Sequence, residues 1–184
     1  SRLGARVALV SMDPDRIGQM SCNPAIGGLA KGQMVREIDA LGGLMGLATD
    51  ATGIQFRMLN QSKGPAVWGP RAQCDKYKYA KEVQRLLGTC ANLTILRGEV
   101  ADIETSCIAQ VTAGAPENAD SLHLASSSVP VVRAVLLADG TRLTTRCAIV
   151  TTGTFLRALM HTGEAKTEGG RVGEATARGL SGCL

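Results

Sequence analysis

The chain has 184 residues, 45% of them hydrophobic and 20% charged, with a formal net charge of +4; this is the composition of one globular domain, or part of a larger one, with length enough to bury a core. Its lysines and arginines are scattered and aromatic residues make up only 3%, which excludes a polybasic tail and an aromatic stacking platform, so contact with a nucleic acid here would be mostly electrostatic. No apolar run reaches about 18 residues, so no membrane partner is expected, and the six cysteines, Cys22, Cys74, Cys90, Cys107, Cys147 and Cys183, lack CxxC or metal-ligand spacing and read as free thiols in a reducing compartment with no metal site.

"SRLG" (1–4) reads as the last turn of a helix closed by Gly4, and "GARVALVSMD" (4–13) as a buried strand. The chain thus opens part-way through a βαβ pattern and is taken as a fragment, with a first strand and a glycine-rich turn expected upstream. Asp13 follows the strand, near where dinucleotide folds place a ribose-binding acid, but it comes two residues late.

"QMSCNPAIGGLAKGQ" (19–33) sets Cys22 before a glycine turn, and the turn runs into Met34, Ile38 and Leu41 at helical spacing, ended by Gly42 and Gly43. Gly27 and Gly28 permit close backbone approach, and a helix N-terminus lowers the pKa of a nearby thiol. The alternative is a small buried hydrophobe. Spacing leaves both open.

Residues 50–75 mix β-type residues with Gly, Pro and Ser and read as a loop-rich excursion. Within them "LNQSKGPAVWGPRAQ" (59–73) carries Lys63 and Arg71, with Asn60 and Gln73, around Gly64, Pro65, Gly69 and Pro70. A rigid loop with two cations suits phosphate or carboxylate; otherwise it is a solvated loop with Trp68 packed on the domain.

"CDKYKYAKEVQRLLGTC" (74–90) is an amphipathic helix with Tyr79, Val83, Leu86 and Leu87 on one side. Residues 92–105 give two short strands or one interrupted strand. Residues 106–131, Ser-rich and polar, form a surface insertion containing His123. A hairpin turning at Asp139-Gly140 follows, then a buried strand at Ala148–Val150 that ends in Thr152, Gly153 and Thr154. In doubly wound sheets ligands sit beyond such strand ends. His123 and His161 lack a placed partner and read as surface residues. The order of elements predicts an α/β fold, a parallel sheet with an antiparallel hairpin beside it, as in two-dinucleotide-binding-domain flavoproteins of the glutathione-reductase type.

"IGQMSCNPAIGGLAKGQMVREIDALGGLMG", "GIQFRMLNQSKGPAVWGPRAQCD", "TTGTFLR" and "GGRVGEAT" together resemble the GidA/MnmG flavoenzyme family, including its mitochondrial relatives. The resemblance covers nearly the whole chain except about residues 105–131. It implies a partial FAD-binding, Rossmann-like domain over 1–184, lacking its first strand and glycine-rich turn. It implies FAD-dependent modification of the wobble uridine of tRNA at C5 with a (carboxymethyl)aminomethyl-type group, using NADH and methylenetetrahydrofolate as co-substrates and glycine, ammonium or taurine as the amine. A MnmE-type GTPase and a homodimer are the implied protein partners, and the location is mitochondrial, or cytoplasmic in a bacterium.

Carried over residue by residue, Cys22 takes the place of the family's first cysteine, as nucleophile or as general acid/base. Val100 and Thr176 match FAD-contacting positions, with threonine where many members have serine. The small residues Asn23, Pro24, Ala25, Gly27 and Gly28 are expected to admit the flat flavin ring, with Thr152, Gly153 and Thr154 as further cofactor contacts. Lys63 and Arg71 are expected on tRNA phosphate. The rival expectations are a flavoprotein oxidoreductase acting on a small molecule and a nonenzymatic remnant of the fold.

Overall fold

The computed structural model describes residues 1–20, 22–109, 128–170, 176–177 and 179–180. They form two compact units, Ser1–Arg97 and Gly98–Leu184.

The first unit opens on a turn in which the Gly4 N–H donates to the Ser1 carbonyl at 2.9 Å, with Gly4 at φ +88°. Strand β1 (Val7–Ser11) then pairs in parallel with β5 (Leu93–Arg97). These two strands form a sheet of their own, so β1 is half exposed rather than buried. Parallel strands need a long crossover, and everything between β1 and β5 supplies it.

That crossover holds strand β2 (Ala25–Gly27) and helices α1 (Lys31–Ala40) and α2 (Met45–Thr52). Strands β3 (Gly53–Leu59) and β4 (Gly69–Cys74) and helix α3 (Lys76–Gly88) complete it. Helix α1 stops where the sequence predicts, at Gly42 with φ +80°, where the Gly43 N–H returns to the Ile38 carbonyl at 2.8 Å. Its stripe of Met34, Ile38 and Leu41 remains exposed.

Residues 50–75 are more regular than a loop-rich excursion: they contain the end of α2 and both long strands of an antiparallel sheet ordered β2-β4-β3. Propensity missed the strands because their stability comes from each other, through pairs such as Phe56 with Ala72 and Arg57 with Arg71. The short helix α2 was hidden by the glycines around it. Its Ala48 is fully buried, and with Ala72, Cys74 and Tyr79 it forms the core, against which Met20, Ile26, Val83 and Leu86 pack. The Thr49 and Thr52 hydroxyls satisfy themselves by donating to the Met45 and Ala48 carbonyls at 2.6 and 2.7 Å.

Helix α3 is the element sequence placed best. Asp75 caps it, accepting from the Tyr77 and Lys78 N–H groups, each at 3.0 Å. The Lys78 N–H is the main reason the Asp75 carboxyl lies below the ordinary carboxylate range. Asp75→Ala is therefore expected to lower Tm at neutral pH. A depressed carboxyl stabilises the fold above its unfolded pKa and loses that effect as pH falls through its folded value. Thermal unfolding of the two proteins should thus converge in acid.

In the second unit, β6 (Val100–Ala109) pairs antiparallel with β7 (Ser128–Leu137), which pairs with β8 (Arg142–Thr144). The turn falls at Asp139-Gly140 as predicted, with Gly140 at φ +87° and the Thr141 N–H donating to Asp139 Oδ1 at 2.8 Å. The arms β6 and β7 reach into the 106–131 insertion from both sides; residues 110–127, His123 included, lie outside the described residues. A last hairpin joins β9 (Leu159–Thr162) and β10 (Ala165–Glu168), with His161 exposed on β9.

The expected buried strand at Ala148–Val150 is not formed. Ile149 is 89% exposed, and among the described residues no strand offers this segment a ladder of partners, without which an apolar run is only an extended chain.

Candidate functional site

The segment around Cys22 is held by strand β4. The Asn23 carbonyl accepts from the Ala25 N–H at 2.7 Å and the Pro24 carbonyl from the Cys74 N–H at 2.7 Å. The Ala25–Gly27 strand then runs beside Gln73, Ala72 and Arg71. On the side-chain level Gln73 Nε2 donates to Asn23 Oδ1 at 3.2 Å, and Arg71 Nη2 donates to Gln73 Oε1 at 3.2 Å. A chain Arg71–Gln73–Asn23 thus joins the middle of the sheet to the residue after Cys22.

Cys22 is exposed, whereas Cys74 is buried. Burial pushes the Cys74 thiol up, against the lowering effect of the Thr52 and Thr49 hydroxyls, so Cys74 behaves as a packing residue. Exposure favours the chemical reading of Cys22 over the buried-hydrophobe reading. The other half of that reading needs correction. Strand β2 and the turn Gly28–Ala30 intervene between Cys22 and the start of α1 at Lys31. The helix that the glycine turn was expected to open therefore does not begin directly after Cys22 in the chain.

Gly27 and Gly28 also serve the fold. A Cβ on Gly27, at φ +107°, would stand 2.1 Å from the Pro70 carbonyl oxygen. Close approach here is to β4. Gly28, at φ +90°, donates its N–H to that same carbonyl at 2.8 Å.

Lys63 and Arg71 do not share a loop. Lys63 is exposed at the end of a 3-10 turn, Gln61–Lys63, in a connection that braces itself: Asn60 Nδ2 donates to the Val67 carbonyl at 3.2 Å and the Trp68 indole N–H to the Gln61 carbonyl at 3.3 Å. Arg71 is inside β4, directly opposite Arg57 of β3. Sequence reasoning passed over Arg57; the alternation in "GIQFRML" and "GPRAQC" would have put both arginines on one face had the strands been paired. Arg57 and Arg71 also line an open cleft of about 480 Å³ bounded by α1, α2 and the sheet, whose other charged members are Arg36, Asp39 and Asp50.

Asp13 is engaged by cations: its carboxylate accepts from Arg16 Nε at 3.1 Å and pairs with Arg97 Nη1 at 3.1 Å. That arrangement ties the turn after β1 to the end of β5.

In the second unit Val100 begins β6 opposite Leu137. Thr152 closes a turn through the Phe155 N–H at 3.2 Å, and Gly153 within it, at φ +59°, has nothing within 4 Å of the place a Cβ would take. Thr154 beside it is exposed. The Thr176 hydroxyl donates to the Phe155 carbonyl and accepts from the Ala158 N–H, both at 2.6 Å. Among the described residues no group of His, Cys, Asp or Glu could hold a metal ion, and no helix is long and apolar enough to cross a membrane.

Residues 1–184 match the family model described as "Glucose inhibited division protein A". The chain is similar to a tRNA uridine 5-carboxymethylaminomethyl modification enzyme MnmG of Rhodopirellula baltica, 51% identical over 188 residues and covering 100% of this chain and 26% of the relative. The protein of the same name from Granulibacter bethesdensis is 49% identical over 181 residues, covering 98% of this chain and 26% of its own. Among solved structures, Aquifex aeolicus GidA superposes with a TM-score of 0.80 at 44% identity, covering 98% of this chain and 26% of that one. The chain therefore spans about a quarter of the length of these relatives. With them it shares a mixed α/β fold of Rossmann type, having a parallel strand pair and antiparallel hairpins.

Proposed function

Because the chain belongs to the glucose inhibited division protein A (GidA) family, we propose that it is part of an FAD-dependent enzyme that modifies the wobble uridine of tRNA at C5. The observation that carries this is the exposed Cys22 beside Asn23, in a chain matched along nearly its whole length by relatives named for tRNA uridine modification. Uridine C5 is a poor nucleophile. When a thiolate adds at C6, a C6–S bond forms and the ring's electron pair becomes available at C5 for the incoming carbon. Loss of the C5 proton to a base then expels the thiolate and restores the ring. Cys22 is the residue we assign to supply that thiolate, with the neighbouring Asn23 held by Gln73.

FAD would supply the redox chemistry of the one-carbon transfer. The contacts that the family resemblance assigns to it in the second unit are Val100, Thr152, Gly153, Thr154 and Thr176. The finer reading follows the family resemblance: methylenetetrahydrofolate and NADH as co-substrates, a MnmE-type GTPase and a second copy of the chain as partners, and a mitochondrial location, or a cytoplasmic one in a bacterium. The direct test is to purify the full-length protein, read bound FAD by absorbance, and measure modified uridine in tRNA. Absence of both flavin and product would overturn the reading.

Lys63 and Arg71 are assigned to tRNA phosphates. Each alanine variant should weaken tRNA binding and lower the log–log salt slope by about one. Titration of tRNA at several salt concentrations checks this, and unchanged affinity and slope would return both side chains to solvent.

A further inference from the structure

Arg57 and Arg71 face each other across β3 and β4, in a row with the facing pair Gln55 and Gln73. Neighbouring pairs two residues apart share a face, so this face offers two guanidiniums and two amides and no carboxylate. Directly opposed side chains start about 5 Å apart at Cβ, and like charges there destabilise a sheet. Among the described residues Arg57 forms no hydrogen bond or ion pair, and Arg71 donates only to the neutral Gln73 amide. Arg36, Asp39 and Asp50, the other charged groups on the adjoining cleft, form no ion pair with either arginine among the described residues. Gln73 in turn links Arg71 to Asn23, the residue after Cys22.

Resting on the tRNA reading above, we propose that Arg57 and Arg71 form a clamp for a single RNA backbone phosphate next to the nucleotide that Cys22 addresses. Two planar forks on adjacent strands match the two non-bridging oxygens of a phosphodiester. Arg57 is exposed, which suits a polymer laid across the sheet better than a small carboxylate that needs enclosure. The second cation working with Arg71 is thus Arg57, which no spacing in the sequence brings near it, rather than Lys63.

The test is tRNA binding by the full-length protein over a range of salt, for wild type, R57A, R71A, R57A/R71A and R57K. Each single alanine variant should bind roughly 10-fold more weakly and lose about one unit of salt slope. The double variant should lose no more than about one unit in slope, because one phosphate is released once. R57K should recover the slope but not the affinity, since an ammonium keeps the charge without the fork. Without RNA, R57A should raise Tm at low salt by relieving the repulsion, an effect that added salt removes; a merely structural arginine would lower it.

A slope loss near two in the double variant means two phosphates and overturns the shared clamp. Wild-type binding with R57A unchanged overturns the clamp and leaves the tRNA reading standing. Failure of the wild type to bind tRNA overturns both. Weakened use of a small carboxylate substrate with tRNA affinity intact would also overturn it.

Discussion

Cys22→Ser in the full-length protein is expected to keep its fold and its FAD and to form little or no modified uridine. Serine is nearly isosteric, and Cys22 is exposed, so no packing is lost and the stability change should stay within about 0.5 kcal/mol. A hydroxyl is a far weaker nucleophile than a thiol that is even partly ionised near neutral pH. The activity loss should therefore be large, on the order of 1000-fold, or about 4 kcal/mol in barrier. Modified uridine per bound flavin, measured on one sample, separates chemistry from cofactor loss. Full activity in this variant would show that the thiol has no part in the reaction. Cys74→Ser makes the contrast: that thiol is 1% exposed in the core, so its replacement should cost stability first.

Gly27→Ala is expected to be the most damaging small substitution in the first unit. Two effects add. A residue with a Cβ at φ +107° carries backbone strain of about 1–3 kcal/mol. The new methyl would also sit 2.1 Å from the Pro70 carbonyl oxygen and 3.0 Å from the Arg71 Cα, backbone atoms that cannot swing aside. Strand β2 must then move off β4, weakening the Gly28-to-Pro70 hydrogen bond and the packing of Ile26 on the core. A loss of about 3 kcal/mol or more follows, and with it the alignment of Asn23 with Gln73. Gly28→Ala isolates the strain: φ is +90°, but its Cβ would meet only Leu59 Cδ1 at 3.9 Å, so the cost should be about 1–2 kcal/mol. Urea unfolding midpoints for the two variants check the difference. Equal losses would mean that the contact with β4 is not what requires glycine at 27.

The residues by themselves determined several features whose cause is local. Helix α3 follows from Asp75 as a cap and an apolar stripe through Tyr79, Val83 and Leu86. The β7–β8 hairpin follows from Asp139-Gly140, and the end of α1 from Gly42 and Gly43. Motifs long enough to mark a family were also legible. The tertiary structure decided what depends on partners distant in the chain. Strands β3 and β4 exist because they pair, and that pairing turned a supposed loop cation, Arg71, into a strand residue facing Arg57. It gave Gly27 a neighbour in Pro70, placed β2 between Cys22 and the helix, and left Ala148–Val150 without a ladder. A turn or a cap is stabilised by atoms a few residues away and can be read along the chain. A strand's hydrogen bonds and a charge's neighbours are supplied across space, and only the fold says which residues those are.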